Sequence, residues 1–300
     1  MTTLADALHT GTVVLDGGLS TELESRGHDV SSSLWSARLL RDDPAAVTAA
    51  HAAFAAAGAQ VATTASYQAS FPGFAAAGID GAQARTLMAR SVALARDGLA
   101  LAGRDGWVAA SVGPYGALLA DGSEYTGDYV ENLSVAELRA FHRPRLAVLA
   151  EAGADVLACE TLPAAAEVEA LLAELAELGV PAWLSLTSTT DRDGVVRTRR
   201  GERLAEVCAM ARDVDAVIAV GVNCTDPAGV PAAVAAAGAS GKPGVAYSNS
   251  GETWDAAGRR WTGRPGVGDV SGWLTAGARL VGGCCRVRPD DVRTLADAVR

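Results

Sequence analysis

Three cysteines stand where they could share one metal ion. Cys224 closes the run VIAVGVNC (217–224), and Cys284 and Cys285 close ARLVGGCC (278–285). Thiolates suit zinc in a tetrahedral site, and a catalytic zinc keeps one of its four positions free for water or substrate. A three-thiolate site with an open fourth position is one reading of Cys224, Cys284 and Cys285; inert core thiols are the other. A vicinal disulfide ranks third, because that bond is strained and the expected compartment is reducing. Gly282 and Gly283 precede the pair and are expected to relax the backbone so that both thiols aim at one ion. Cys159 and Cys208 fall inside an apolar run and a helical run and read as core.

Two carboxylates form a second constellation. Asp16 follows TVVL and Glu160 follows VLAC, each at the expected end of a buried strand. Either could bind a substrate ammonium or act as a base. For Asp16 taken alone, a backbone-capping acid is the plainer reading. Glu160 has fewer structural reasons to follow a continuous apolar run. The aromatics Trp35, Tyr67, Tyr115, Tyr125, Tyr129, Trp254 and Trp261 fall mostly in expected loops. They could cage a cationic group or simply pack on a rim. The histidines at 9, 28, 51 and 142 match no ligand spacing and read as structural, and RTRRGER (197–203) reads as a solvated loop.

These residues need a scaffold that brings distant strand ends together. Eight short apolar runs recur: TVVLDGG (12–18), QVATTAS (60–66), WVAASVG (107–113), VLACETL (156–162), AWLSLTS (182–188), VIAVGVNC (217–224), GVAYSNS (244–250) and ARLVGGCC (278–285). None alternates with polar residues, as expected of strands buried on both faces of a parallel sheet. Between them lie Ala-rich helical stretches, clearest at 44–58, 81–103, 134–153 and 163–179. Ser134 with Glu137 makes a capping box. Pro44 and Pro163 mark first helical turns, Gly58, Gly153 and Gly179 mark helix ends, and Pro144 should kink or split its helix. Eight strands alternating with eight helices over this length predict a single-domain (β/α)₈ TIM barrel, residues 1–300, with its chemistry at the carboxyl ends of the strands. A doubly wound open sheet is the alternative, but LDGGLSTE does not match its phosphate-binding fingerprint. The segments 113–134 and 248–266 are expected as loops at the catalytic face.

Composition narrows the function. Lys+Arg 25 against Asp+Glu 35 leaves a net charge of −10, which argues against a nucleic-acid partner. No stretch approaches the roughly 20 apolar residues of a membrane span. MTTLADALHT has no basic and apolar leader, so a cytoplasmic location is expected.

The motifs LDGGLSTELESRG (15–27), LWSARLL (34–40), TTASYQAS (63–70), SVGPYGA (111–117), ACETLP (158–163), GVNC (221–224), YSNSGETWD (247–255) and GGCCR (282–286) together resemble the homocysteine S-methyltransferase family, over about residues 12–298. GVNC followed some sixty residues later by GGCCR is the most specific pair. The resemblance implies a barrel, zinc on Cys224, Cys284 and Cys285, and L-homocysteine bound as a thiolate and methylated to methionine. It implies that Asp16 and Glu160 hold the amino-acid moiety, within a substrate set that also includes Gly17, Gly18, Tyr67 and Asn223. Asn223 would support the zinc ligand beside it. Two positions depart from the family pattern: Ser248 replaces a usual Pro, and Pro289 is followed by Asp290 and Asp291 where a Pro-x-His is common.

The donor follows from chemistry and chain length. Betaine-using relatives tend to carry extra C-terminal sequence and cobalamin-dependent ones further domains, whereas only residues 286–300 follow Cys285. A small sulfonium is expected, S-methylmethionine first and S-adenosylmethionine second, in a monomer or small homo-oligomer. The competing readings are a betaine- or other-donor thiol methyltransferase, a zinc hydrolase, and a non-catalytic zinc or redox-sensing protein. A hydrolase would need a more Lewis-acidic metal than three thiolates provide. A closed site would need a fourth Cys or His, and none is evident near the mouth.

Overall fold

The eight apolar runs form eight strands: β1 (Val13–Val14), β2 (Val61–Thr63), β3 (Trp107–Val112), β4 (Val156–Leu162), β5 (Ala182–Leu186), β6 (Val217–Asn223), β7 (Gly244–Ser248) and β8 (Ala278–Gly283). The computed structural model describes residues 2–30, 34–255, 260–262 and 266–300. Neighbouring strands pair in parallel from β2 through to β8, and β8 returns to β1 through Val13↔Leu280 and Val14↔Val281. A parallel bridge between Leu15 and Val61 joins β1 to β2, so the sheet meets itself as a TIM barrel.

A parallel strand pair needs a long crossover, and a helix fills each one here. The helices Pro44–Ala57, Gly81–Leu101, Val135–Glu151, Ala165–Leu178, Leu204–Ala209, Val230–Ala237 and Val270–Thr275 connect successive strands, and Pro289–Ala298 follows the last. Asp43, Asp80, Ser134 and Asp269 accept backbone N–H bonds at their starts, supplying orphan donors with partners. The Ser134–Glu137 capping box is complete.

The core has two layers. Leu15, Val61, Ala109, Ala158, Trp183, Val245 and Leu280 fill the barrel interior. The N-terminal helix Leu4–Thr10 packs Leu4 and Leu8 against this interior cluster beside the strand starts Val13 and Trp107. The outer layer, with Phe54, Val108, Leu157, Leu184, Val220 and Trp273, lies between strands and helices. Each fully buried side chain of this size contributes about 1.5–3 kcal/mol. Among the described residues, no helix is long and apolar enough to cross a membrane.

Several sequence expectations need correction. Pro144 does not split its helix, which runs from Val135 to Glu151. One lost N–H bond is outweighed by the buried face of Leu138, Leu146 and Leu149. Pro163 lies outside its helix, which starts at Ala165 after the N-cap Ala164. The segment 113–134 is not plain loop: it contains a helix, Tyr115–Leu119, and two 3₁₀ turns, Ser123–Tyr125 and Asp128–Glu131. The segment 248–266 contains an antiparallel pair, Thr253–Asp255 with Arg260–Thr262. The basic run 197–203 is partly structural. Thr198 is buried in a small hairpin, and Arg200 bridges Asp128 and Glu131.

Candidate active site

The three cysteines converge at the mouth of the barrel. Their sulfurs all lie within 4.8 Å of one another, and Cys224 Sγ is 3.9 Å from Cys285 Sγ. β7 lies between β6 and β8 and holds both cysteine turns. Tyr247 O accepts from Cys224 N at 3.2 Å and Ser248 O from Cys284 N at 2.7 Å. Asn249 Oδ1 accepts from Cys285 N at 3.2 Å. Cys224 and Arg286 both adopt positive φ, 46° and 67°, so each chain reverses sharply as it leaves its strand.

Gly282 and Gly283 serve differently from expectation, since neither takes a positive φ. A Cβ on Gly283 would stand 2.1 Å from Val287 Cγ1, and one on Gly282 2.5 Å from Leu15 Cβ. The glycines let β8 pass against its neighbours; they do not supply an unusual backbone shape.

The chemistry of the donor set fits zinc. Sulfurs that share a tetrahedral zinc at about 2.3 Å stand about 3.8 Å apart, close to the Cys224–Cys285 separation. Hydrogen bonds from Cys224 and Cys284 hold the Cys285 thiol well below its ordinary range, whereas Cys224 and Cys284 themselves are held well above theirs. Cys159 and Cys208 are pushed up to about 12, chiefly by burial, and lie apart from the triad as core.

Asp16 and Glu160 line the same cleft of about 140 Å³ as the three cysteines. Glu160 does not end β4, which runs on to Leu162. It sits where pairing with β5 slips between Cys159 and Leu162. Its Oε2 accepts from Tyr247 OH at 2.8 Å, and its Oε1 accepts from Ser111 Oγ. Asp16 accepts from Thr63 N at 2.6 Å and from Thr63 Oγ1 at 2.8 Å, so it does cap β2. An ionised carboxylate has about four lone-pair sites, which leaves each of these acids capacity for a ligand. Burial pushes both up to about 7, and the Glu160 charge adds to the effect on Asp16. Two buried acids that have no cationic partner among the described residues are poised to take one.

The remaining expected residues divide. Gly17, Gly18 and Tyr67 line the cleft. A Cβ on Gly18 would stand 2.6 Å from Cys284 O, so this glycine lets the β1 loop pass over the cysteine pair. Asn223 also lines the cleft, but its amide is engaged. Oδ1 accepts from Thr161 N and Nδ2 donates to Thr161 Oγ1, both at 2.7 Å. It clamps Thr161, which carries φ of 62°, beside Glu160. Tyr115 and Tyr129 pack on each other, and Tyr115 on Phe141, away from the cleft. Tyr129 and buried His142 both bind buried Glu167. The side chains of Trp35, Trp254 and Trp261 lie outside the described residues.

Sequence reasoning missed Ser111, Thr63 and Tyr247, and placed Asn249 at a strand end without a role; these four hold the acids and the cysteine turns. All four sit in quoted motif blocks, and Ser111 and Tyr247 alternate inward on their strands, which is the signal that was available. Tyr247 OH also accepts from Trp183 Nε1 at 3.1 Å and bonds Ser185, forming the floor of the site.

A family model described as homocysteine S-methyltransferase matches residues 13–299. The homocysteine S-methyltransferase of Escherichia coli K12 is 46% identical over 297 residues, covering 94% of each chain. Homocysteine S-methyltransferase 2 of Arabidopsis thaliana is 39% identical, covering 95% of this chain and 92% of its own. The crystal structure of the Escherichia coli homocysteine methyltransferase MmuM in its metallated form superposes with a TM-score of 0.84 at 42% identity, covering 96% of both chains.

Proposed function

Because the chain belongs to the homocysteine S-methyltransferase family, and so methylates homocysteine to methionine, we propose how its own residues carry that reaction and which donor it uses. Cys224, Cys284 and Cys285 hold a zinc ion, and Asp16 and Glu160 hold the acceptor's ammonium. The observation that carries this reading is the convergence of three sulfurs and two buried acids in one cleft. Zinc bound there supplies deprotonation of the acceptor thiol at neutral pH, where a free thiol is only a few per cent ionised.

The chain's part is binding and orientation. Asp16 and Glu160, both near 7, ionise as the ammonium arrives and release their protons to solvent. Thr63, Ser111 and Tyr247 fix the two carboxylates, Asn223 and Thr161 fix the backbone next to Glu160, and Gly17 and Gly18 admit the substrate beside the cysteine pair. Tyr67 lines the cleft beside them.

The donor is a small sulfonium, S-methylmethionine ahead of S-adenosylmethionine. The donor's carbon–sulfur bond breaks as the methyl forms its new bond to the acceptor sulfur, and the leaving group is a neutral thioether. No general acid is needed, and the cleft offers carboxylates, sulfurs and tyrosines where a cation must sit. A cytoplasmic location, where thiols stay reduced, one homocysteine-binding domain over residues 1–300, and a monomer or small homo-oligomer complete the reading.

The test presents equal concentrations of S-methylmethionine, S-adenosylmethionine, betaine and methylcobalamin with homocysteine and limiting enzyme. Methionine should form fastest from S-methylmethionine, on protein holding about one zinc per chain. A preference for betaine, or a strict need for cobalamin, overturns the donor.

A further inference from the structure

Tyr125 stands against the sulfurs without belonging to the acceptor pocket's acids or to the cysteine triad. Its hydroxyl oxygen lies 3.9 Å from Cys224 Sγ and 4.0 Å from Cys285 Sγ, and those two sulfurs are 3.9 Å apart. The three atoms form a nearly equilateral triangle, so the hydroxyl faces the Cys224–Cys285 edge evenly. A phenol is neutral at pH 7 and carries a proton to donate.

The segment bearing Tyr125 is unusually well anchored. It ends a 3₁₀ turn, Ser123–Tyr125, between β3 and the helix Val135–Glu151. Fully buried Glu167, from the helix after β4, accepts from Tyr115 N at 2.6 Å, binds His142 Nε2 at 2.8 Å, and accepts from Tyr129 OH. These partners flank the turn on both sides. A Cβ on Gly116 would stand 2.5 Å from Glu124 N, so the turn packs directly onto the helix Tyr115–Leu119. A residue held this way keeps its hydroxyl in place as ligands come and go.

We propose that Tyr125 is a positioning residue whose hydroxyl donates to the cysteine sulfurs and thereby sets how much charge they carry and how firmly they hold a metal. The inference rests on the reading of the triad as a metal site. Three thiolates around a dication carry a net −1, and a fourth makes −2. Donors to sulfur are the local means of relieving that excess, and outer-shell partners of metal ligands change affinity by about 10- to 100-fold when removed.

The experiment uses the full chain loaded with zinc, and separately with cobalt(II), as wild type, Tyr125→Phe and Tyr115→Phe. Phe keeps the ring and its packing and removes only the hydroxyl. Tyr125→Phe should lose zinc to a competing chelator at about 10- to 100-fold lower chelator concentration. Its sulfur-to-cobalt charge-transfer band should move to longer wavelength, because sulfurs relieved of a hydrogen bond give up electrons more readily. Tyr115→Phe, from the same segment, should leave both readouts at wild-type values. Unchanged zinc affinity and an unchanged band in Tyr125→Phe overturn the proposal. Equal losses in both variants overturn it too, by assigning the effect to the segment's packing. Absence of any sulfur-to-cobalt band in the wild type instead sinks the metal reading itself, and the two failures are thereby told apart.

Discussion

Glu160→Gln should make the enzyme worse and the fold better, and pH should separate the two effects. Burial raises this carboxyl from the ordinary 4.5 to about 7, so the folded state holds the proton more tightly than the unfolded chain. Such a group stabilises the fold fully at acid pH and loses that contribution as pH rises through 4.5 and on through 7. At about 1.4 kcal/mol for each pKa unit, the ionised carboxylate costs the empty site about 3 kcal/mol at pH 8 and about 1 kcal/mol at pH 5. Gln is close in shape, cannot ionise, and can still meet Ser111 and Tyr247, whose hydroxyls accept as well as donate. The variant should therefore be more stable than wild type by about 3 kcal/mol at pH 8, a rise in Tm of roughly 6 °C, with most of the gain gone at pH 5. Its use of homocysteine should fall roughly 30-fold or more, through KM, because one partner of a buried charge contact is worth about 2–5 kcal/mol. Zinc content should not change. The assays are thermal unfolding without substrate at the two pH values and steady-state kinetics at pH 8. Equal stability of the two proteins at pH 8 would refute the claim that Glu160 is a strained, unpaired charge. Unchanged homocysteine KM would refute its place in the acceptor pocket.

Three further outcomes test other parts of the site. Homocysteine KM should rise as pH falls through about 7, because Asp16 and Glu160 must both be ionised to hold an ammonium and both lie near 7; a KM flat from pH 6 to 8 contradicts this. Ala at Cys224, Cys284 or Cys285 should abolish activity and lower zinc content, measured by metal analysis, whereas Cys208→Ala, in a buried helix, should leave zinc in place; metal affinity should also fall in acid as thiols reprotonate. Asn223→Ala strips two partners from Thr161 and should destabilise by about 2–3 kcal/mol in urea unfolding, with a loss of homocysteine affinity as Glu160 loses its neighbour's support; a stability change below about 0.5 kcal/mol removes Asn223 from that role.

The barrel was legible because its signals are local and repeated. Eight apolar runs without alternation, separated by capped Ala-rich helices, admit few closed arrangements, and each run became a strand. Cys224, Cys284 and Cys285 were legible as a set because strand ends converge in this fold, so position along the chain translated into position at the mouth. Thr63, Ser111 and Tyr247 were not, because their partners are fixed by register between strands far apart in sequence, Ser111 to Glu160 and Tyr247 to Glu160. Asn223 was read as a neighbour of a metal ligand, and its clamp on Thr161 depends on a 62-residue separation that no local pattern encodes. Pro144 misled because helix-breaking is a local penalty and tertiary burial overrode it. Tyr125 was one of seven aromatics, of which only Tyr67 entered the substrate set, until the 3₁₀ turn aimed it at sulfur.

The distribution of backbone strain follows the same division. Among the described residues, four that are not glycine adopt positive φ: Ala120, Thr161, Cys224 and Arg286. Each such conformation costs about 1–3 kcal/mol and persists only where its surroundings over-determine it. Three of the four border the site, and each has its constraint in view. Asn223 clamps Thr161, Tyr247 O takes the N–H of Cys224, and Thr21 Oγ1 takes the N–H of Arg286 at 3.0 Å while Glu252 holds its guanidinium. Bending the chain right after Asn223 and right after Cys285 turns thiols from different strands toward one point, which a regular parallel strand could not do. The two raised carboxyls, the crowded sulfurs and three of the four positive-φ residues all sit at the carboxyl end of the barrel. A ligand set that pairs the acids and binds the sulfurs would relieve two of these three loads, so the loaded enzyme should be the more stable one.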